Sequence, residues 1–414
     1  MRLLKGPIAQ ATLRTSAMLG LRLFAQAGTL LLLTRELGPA NFGRFSAIAA
    51  LALLLGLLAT AGTHLTLLRD LSQNANLRTQ LLPGVLGTTL VCGSILLLLY
   101  VPISLTLLQA DIALPVVLCI GIAELLLQPF LAIRSSEYQA QGKIARSQFL
   151  VITPLLLRLS AIGALYFLKK GNTLLLYASC YLLAVAAALL VASRWSNEPW
   201  PPMTQWRLLR ATQLHDNGSY ALMNVAALGP TEIDKPIAVK LMSAGDAGTY
   251  AAAARVMGAL VLPIMALMLS ALPRLFREAG SRDSMLLKLI FSAALTYGLC
   301  SGVCLWLLTT PLEFLFGRNY EGIVSNLHWL ALAMPGMCLR FAAVSSLMAE
   351  DKPWLRIIIE LLGCACIFGF SFGLAHFSVP HFMPITIVCS EWLMAICAWC
   401  SLLIERIHPI NSAH

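Results

Sequence analysis

Fixed positive charge set in apolar surroundings is the chemistry this sequence offers. Arg22, Arg158, Lys235, Arg255 and Arg340 stand inside long runs of leucine, alanine and valine. An ionisable group in hydrocarbon is costly, and it persists where it is paired, wet or needed for function. A guanidinium grips phosphate through two parallel hydrogen bonds and stays charged when partly dehydrated. Several of them facing one wet cavity would suit an anionic, phosphate-bearing ligand. The competing account is structural pairing, because Glu124, Glu232, Asp234, Glu360 and Glu391 lie in the same apolar runs. Of these acids, Glu124 and Asp234 are the candidates for coupling to an ion.

The cations differ in how easily they are explained. Lys240 sits at the end of its run and can snorkel to water. Arg340 lies about 9 Å inside its own end at 1.5 Å per residue, and is placed to do the same. Arg22, between Leu21 and Leu23, and Arg255 each lie about two helical turns inside, so an inward-facing cavity is their cheapest environment. Arg158, in LLLRLSAIG, is near the middle of its run and must be paired or wet.

Conventional catalytic patterns are missing. The chain has no Gly-rich phosphate loop with lysine, no HExxH, no GxSxG and no histidine pair at metal spacing. The 11 cysteines all fall in apolar runs, where they act as small hydrophobes. Cys397 and Cys400 form a CxxC with no second ligand pair. We therefore expect no enzyme, no metal and no cofactor.

The elements that must carry these residues are membrane helices. The 414-residue chain is 58% hydrophobic and 12% charged, with a mean hydropathy of +0.79, a composition outside the soluble range. A bilayer core needs about 20 apolar residues per helix. Runs of that length fall near 14–34, 42–64, 81–102, 113–133, 147–168 and 173–193, then 217–240, 248–272, 285–309, 323–346, 357–378 and 383–404. The fold class expected is thus all-α and polytopic, with about 12 spans in two six-helix lobes around a central cavity. The lobes are residues 1–197 and 217–414, joined by 198–216. That joint carries Pro199, Pro201, Pro202, Trp200 and Trp206, and reads as a cytoplasmic linker with an interfacial helix at headgroup level.

Loop charge sets the orientation. With the N-terminus inside, eighteen lysines and arginines fall in cytoplasmic segments and five in the opposite loops, so both termini are expected in the cytoplasm. The net charge of +10 is accordingly a topology signal. The basic residues form no dense patch, which argues against nucleic-acid binding. The first run contains Arg22 and lacks a small-residue cleavage site, as in an uncleaved signal anchor. The seventh span, LGPTEIDKPIAVKL, holds Gly229, Pro230 and Pro236; it should bend, as helices lining a transport cavity do. Asp234 and Lys235 within it are adjacent, about 100° apart on a helix, and are expected to need different partners.

One stretch recurs. LGPANFGRFSAIAA, Leu37 to Ala50, aligns without a gap on MSAGDAGTYAAAAR, Met242 to Arg255, pairing Asn41 with Asp246, Gly43 with Gly248, Phe45 with Tyr250 and Ala47 with Ala252. Each copy is a polar turn, small residues and a long apolar helix, as in tandem related halves.

These stretches carry a resemblance. TRELGPANFGRFSAIAALALLLGLLATAG, EIDKPIAVKLMSAGDAGTYAAAARV, LPRLFREAG and PLEFLFGRNYEGIV resemble the polysaccharide and O-antigen flippases of the Wzx or RfbX type. These belong to the multidrug/oligosaccharidyl-lipid/polysaccharide exporter (MOP) superfamily. The resemblance implies an inner-membrane protein that flips undecaprenyl-pyrophosphate-linked oligosaccharide by alternating access, with membrane lipid and other polysaccharide assembly proteins as partners. It matches Arg22 and Arg255 to vestibule arginines and Asp234 to the family's seventh-span aspartate. The charge cluster at Glu232, Asp234 and Lys235 is richer than the family pattern. The alternatives are an ion-coupled drug or metabolite antiporter of the same superfamily, and a membrane glycan-processing or assembly protein.

Overall fold

A computed structural model describes residues 7–107, 112–168, 173–195, 198–278, 285–317, 319–350 and 352–407. The expected cytoplasmic ends and Arg318 of the PLEFLFGRNYEGIV loop fall, in part or whole, outside the described residues. Every regular element among those described is helical. In chain order they are α1 (Pro7–Ala59), α2 (Thr63–Gln73), α3 (Arg78–Leu107), α4 (Leu114–Gly121), α5 (Gln128–Ala140), α6 (Ile144–Leu168), α7 (Thr173–Arg194) and α8 (Ala211–Glu232). Then follow α9 (Asp234–Leu241), α10 (Ala244–Glu278), α11 (Met285–Leu307), α12 (Thr309–Phe316), α13 (Ile323–Ala349), α14 (Pro353–His376) and α15 (Phe382–Ile407).

Among the described residues, ten helical stretches are long and apolar enough to cross a membrane. One of them, Gly20–Ala59, has 40 residues, about 60 Å of helix against a hydrocarbon core of roughly 30 Å. It is interrupted at Gly38, whose φ of 67° is left-handed and open to glycine without a Cβ penalty. Pro39 follows. This stretch supplies two passes, the first two of the expected spans. The expected seventh span is the α8–α9 pair, more polar than the ten and broken at Ile233 between Glu232 and Asp234. Counting the double stretch twice and adding this pair gives the expected twelve.

The break has a local cause. Pro236 has no N–H to give the Glu232 carbonyl four residues back. In the first turn of α9 that missing donor costs nothing, since the first N–H groups of a helix are unpaired anyway. A second irregularity lies between α4 and α5, where Ile122–Leu127 forms a π-helical turn around Glu124. Glycines of two other helices close on it. A Cβ at Gly56 would stand 2.8 Å from the Glu124 carbonyl oxygen, and one at Gly93 would overlap that of Leu125.

The chain forms two compact units. The first comprises residues 1–37 and 44–225, the second 38–43 and 226–414. Within the first, α5 packs on α2 and α6, and α7 on α4 and α6. In the second, α13 is the centre, packed against α10, α11, α14 and α15.

The joint differs from its expected form. From 198 to 210 it holds a single 3-10 turn, Met203–Gln205, before α8 begins. It docks as extended chain on the first unit. The reason is specific pairing. Arg78 binds Glu198 through its side chain (3.1 Å) and its carbonyl (3.0 Å). Trp200 donates to Glu137 (2.8 Å), Leu209 N–H to Thr88 (3.0 Å) and Arg207 to the Gln80 carbonyl (3.0 Å). Phe130 lies 5.8 and 5.7 Å from the rings of Trp200 and Trp206. At Gly87 a Cβ would meet the Arg207 backbone. These tryptophans cover the cluster of Leu67, Leu71, Leu82, Val85, Leu86, Phe130 and Ile133.

Gly43 and Gly248, paired in the sequence repeat, touch each other in the second unit. A Cβ on Gly43 would lie 2.7 Å from both the Gly248 nitrogen and the Ala244 oxygen, and one on Gly248 would overlap the Pro39 carbonyl. Backbone meets backbone there. Gly248→Ala should therefore lower the thermal midpoint of the detergent-purified protein by several degrees, as overpacking by about 1–3 kcal/mol does. Gly258, whose added Cβ would find open space in the same helix, should become slightly more stable as alanine, by up to about 1 kcal/mol. Equal midpoints for the two variants would contradict the close-contact role.

Candidate functional site

The five intramembrane cations resolve into two groups by their partners. Four have a carboxylate within ion-pair distance. Arg22 has none among the described residues: it is partly exposed, and its Nε is buried without a hydrogen-bond partner.

In the first unit, Arg158 of α6 lies 3.3 Å from Glu124 Oε1 in the π-helical turn. The Tyr181 hydroxyl of α7 donates to the same carboxylate oxygen. The guanidinium of Arg158 also covers the Tyr181 ring, 3.3 Å from its centroid. Phe45 meets Tyr177 and Tyr181 edge-on at 5.4 and 6.3 Å. The π turn adds a residue to the helix there, and such turns recur at functional sites. The result is a closed set: carboxylate, phenol and guanidinium each face another member.

In the second unit, the α8–α9 break gathers a larger set. Asp234 Oδ2 accepts from the Tyr250 hydroxyl (2.6 Å) and Asp234 Oδ1 from Lys235 Nζ (3.0 Å). Lys235 Nζ also donates to the Thr231 carbonyl and stands 3.6 Å from Glu232 Oε2. Arg255 of α10 grips Glu232 with both terminal nitrogens, at 2.9 and 3.1 Å. The Arg255 side chain is 36% exposed, whereas those of Glu232, Asp234 and Lys235 are at most 9% exposed. Two cations and two carboxylates leave the set neutral.

The expectation that Asp234 and Lys235 need different partners is corrected here. The two side chains leave the helix in different directions, but the lysine stem is long enough to fold back onto its neighbour while its ammonium caps the Thr231 carbonyl.

Arg340 is the fifth cation, and it does not reach water. It is fully buried on α13 and held bidentately by Glu391 of α15, at 2.7 and 3.1 Å. Glu360 of α14 stands 3.9 Å away on its other side and is itself 3.3 Å from Arg356. The snorkelling expectation fails because α13 is the centre of its unit, so no path along the helix leads outward. Three helices are tied together by this one guanidinium.

A further ionic cluster was not anticipated. Arg134, one residue past the expected 113–133 span, is 3% exposed on α5 and bonded to Glu137 at 3.0 Å. Glu137 also takes Arg78 at 2.9 Å, and the Arg134 guanidinium sits 4.5 Å from the Trp200 ring centroid. The i, i+3 spacing of Arg134 and Glu137 was the available signal. His64 lies beyond the end of its span and is bonded to Thr60 (2.8 Å). Burial lowers its pKa to about 4, so it is neutral. Among the described residues no group of three or more His, Cys, Asp or Glu is placed to hold a metal ion.

The described helices share their fold with solved transporters of the MOP superfamily. An inward-facing multidrug resistance MATE family transporter of that superfamily matches with a TM-score of 0.73 at 13% identity, over 94% of this chain and 96% of its own. A MOP superfamily transporter from Pyrococcus furiosus, described as having a binding pocket of reverse polarity, matches at 0.62 and 15% identity over 98% and 97%. An outward-facing MATE family transporter matches at 0.59 and 16% identity over 99% of each chain. At these identities the likeness is one of fold. No curated protein matches. The family model for polysaccharide biosynthesis proteins matches residues 8–278, more than half of the sequence, and the chain belongs to that family.

The Arg340 cluster yields a stability prediction. Arg340→Ala would leave Glu391 buried without its cation, and Glu360 with Arg356 alone, at a cost of about 3–5 kcal/mol. We expect a marked fall in membrane abundance and thermal midpoint. A variant of wild-type abundance and midpoint would contradict the bracing role.

Proposed function

We propose that this protein translocates undecaprenyl-pyrophosphate-linked oligosaccharide across the bacterial inner membrane by alternating access, supplying surface polysaccharide or O-antigen synthesis. Membership of the polysaccharide biosynthesis family and the transporter fold support the class. The observation that carries the substrate chemistry is Arg22, a guanidinium in an apolar span with no carboxylate partner among the described residues. An arginine left without an internal anion is suited to take an external one, and the diphosphate offers the bidentate geometry it favours. In the second unit Arg255 is the candidate for the same chemistry, because its guanidinium is the most accessible of the four paired cations.

In this reading Arg158 and Lys235 hold Glu124 and Asp234 in place, and Arg340 braces its helices. Glu124 and Asp234 remain the candidates for ion coupling, each bound to one tyrosine hydroxyl and one cation. Both termini lie in the cytoplasm, membrane lipid surrounds the spans, and other polysaccharide assembly proteins are partners. The antiporter alternative draws on the drug transporters that share the fold. It is less favoured because each of the six buried acids among the described residues has a cation within 4 Å, leaving none of them open to a cationic drug.

Arg22→Ala and Arg255→Ala should each reduce surface polysaccharide by about tenfold or more, the worth of a charge-assisted hydrogen bond or two. Membrane abundance should be unchanged. Complementation of a deletion strain, with polysaccharide and protein quantified together, checks this; full activity of both variants would sink the substrate assignment.

A further inference from the structure

We propose that Glu232 is a built-in stand-in for the substrate's anion: it occupies Arg255 when the site is empty, and the arriving diphosphate displaces it towards Lys235. The inference rests on the substrate reading given above and assigns Glu232 a role in setting affinity.

The charge count comes first. Arg255, Lys235, Glu232 and Asp234 sum to zero, and the guanidinium that would take a diphosphate is already held by a carboxylate. For an anion to reach it, one carboxylate must yield. Asp234 is anchored from two directions, by the Tyr250 hydroxyl at 2.6 Å and by Lys235 at 3.0 Å, and is buried. Glu232 has hydrogen bonds from Arg255 only, at 2.9 and 3.1 Å. Its other neighbour, Lys235 Nζ, waits at 3.6 Å, just beyond hydrogen-bond reach. A small side-chain rotation therefore exchanges one cation for the other without leaving the carboxylate unpaired.

Backbone and chemistry agree with that choice. Glu232 is the last residue of α8 and Ile233 separates it from α9, so it stands at a break in the helix rather than within a continuous turn. A carboxylate presents the same two-oxygen face as a phosphate to a guanidinium, and this is why the two compete for arginine. A site whose competent state is only partly populated binds with correspondingly reduced apparent affinity. Such a penalty benefits a transporter, which must release what it binds: the returning Glu232 helps expel the diphosphate.

Glu232→Gln keeps the shape and removes the competing charge. Binding of farnesyl pyrophosphate to the full-length protein in nanodiscs, measured by calorimetry, should be about tenfold tighter in E232Q than in wild type, while the rate of polysaccharide export falls. A residue that merely held the fold would lower binding and export together. Glu232→Asp, which keeps the charge but shortens its reach to Arg255, should tighten binding to a smaller degree and guards against misfolding of E232Q. If R255A loses the probe but neither Glu232 variant binds it more tightly, the stand-in role is wrong and the substrate reading survives. If binding is indifferent to both Arg255 and Glu232, the two fail together.

Discussion

A charge inside an apolar helix must find an opposite charge, water or a ligand, and this constraint organises the whole molecule. Its cost, several kcal/mol for each uncompensated ion, explains why four of the five intramembrane cations are met by acids from a different helix or from across a helix break. Arg158 reaches from α6 to the π turn, Arg255 from α10 to α8, Lys235 across Ile233 to Glu232, and Arg340 from α13 to α15. Each pairing also fixes how two stretches of helix sit against one another. Departures from regular helix occur at the same places: the π turn carries Glu124, and the α8–α9 break carries Glu232 and Asp234.

The two units answer this constraint with similar parts. Each contains a carboxylate bonded to a tyrosine hydroxyl and a cation: Glu124 with Tyr181 and Arg158, Asp234 with Tyr250 and Lys235. The positions aligned in the sequence repeat serve both. Tyr250 bonds its aspartate directly, whereas its counterpart Phe45 has no hydroxyl and instead backs Tyr177 and Tyr181. The glycines of the same repeat, Gly43 and Gly248, let two backbones meet at a distance no side chain would permit.

Much of this was legible in the sequence, because hydrocarbon imposes a strict length and polarity on every span. The helices, the break at Gly38 and the broken seventh span follow from apolar runs, glycine and proline. The acids available for pairing were legible too, since few lie in apolar runs. Which acid meets which cation was not, as that depends on helix packing between residues as distant as Arg340 and Glu391. The burial of Arg134 was not legible, because charge just past a span end normally points to water. The joint was read as an interfacial helix from its tryptophans, yet Glu198 and Trp200 find Arg78 and Glu137, partners that only the folded first unit brings together.

The central claim is that the protein moves a lipid-linked glycan from one leaflet to the other. Its most direct measurement is the sidedness of undecaprenyl-linked oligosaccharide in membranes from cells depleted of the protein, using a membrane-impermeant sugar-modifying probe. The account predicts that the lipid-linked oligosaccharide accumulates and stays on the cytoplasmic leaflet while surface polysaccharide declines. Unchanged amount and unchanged sidedness would contradict it.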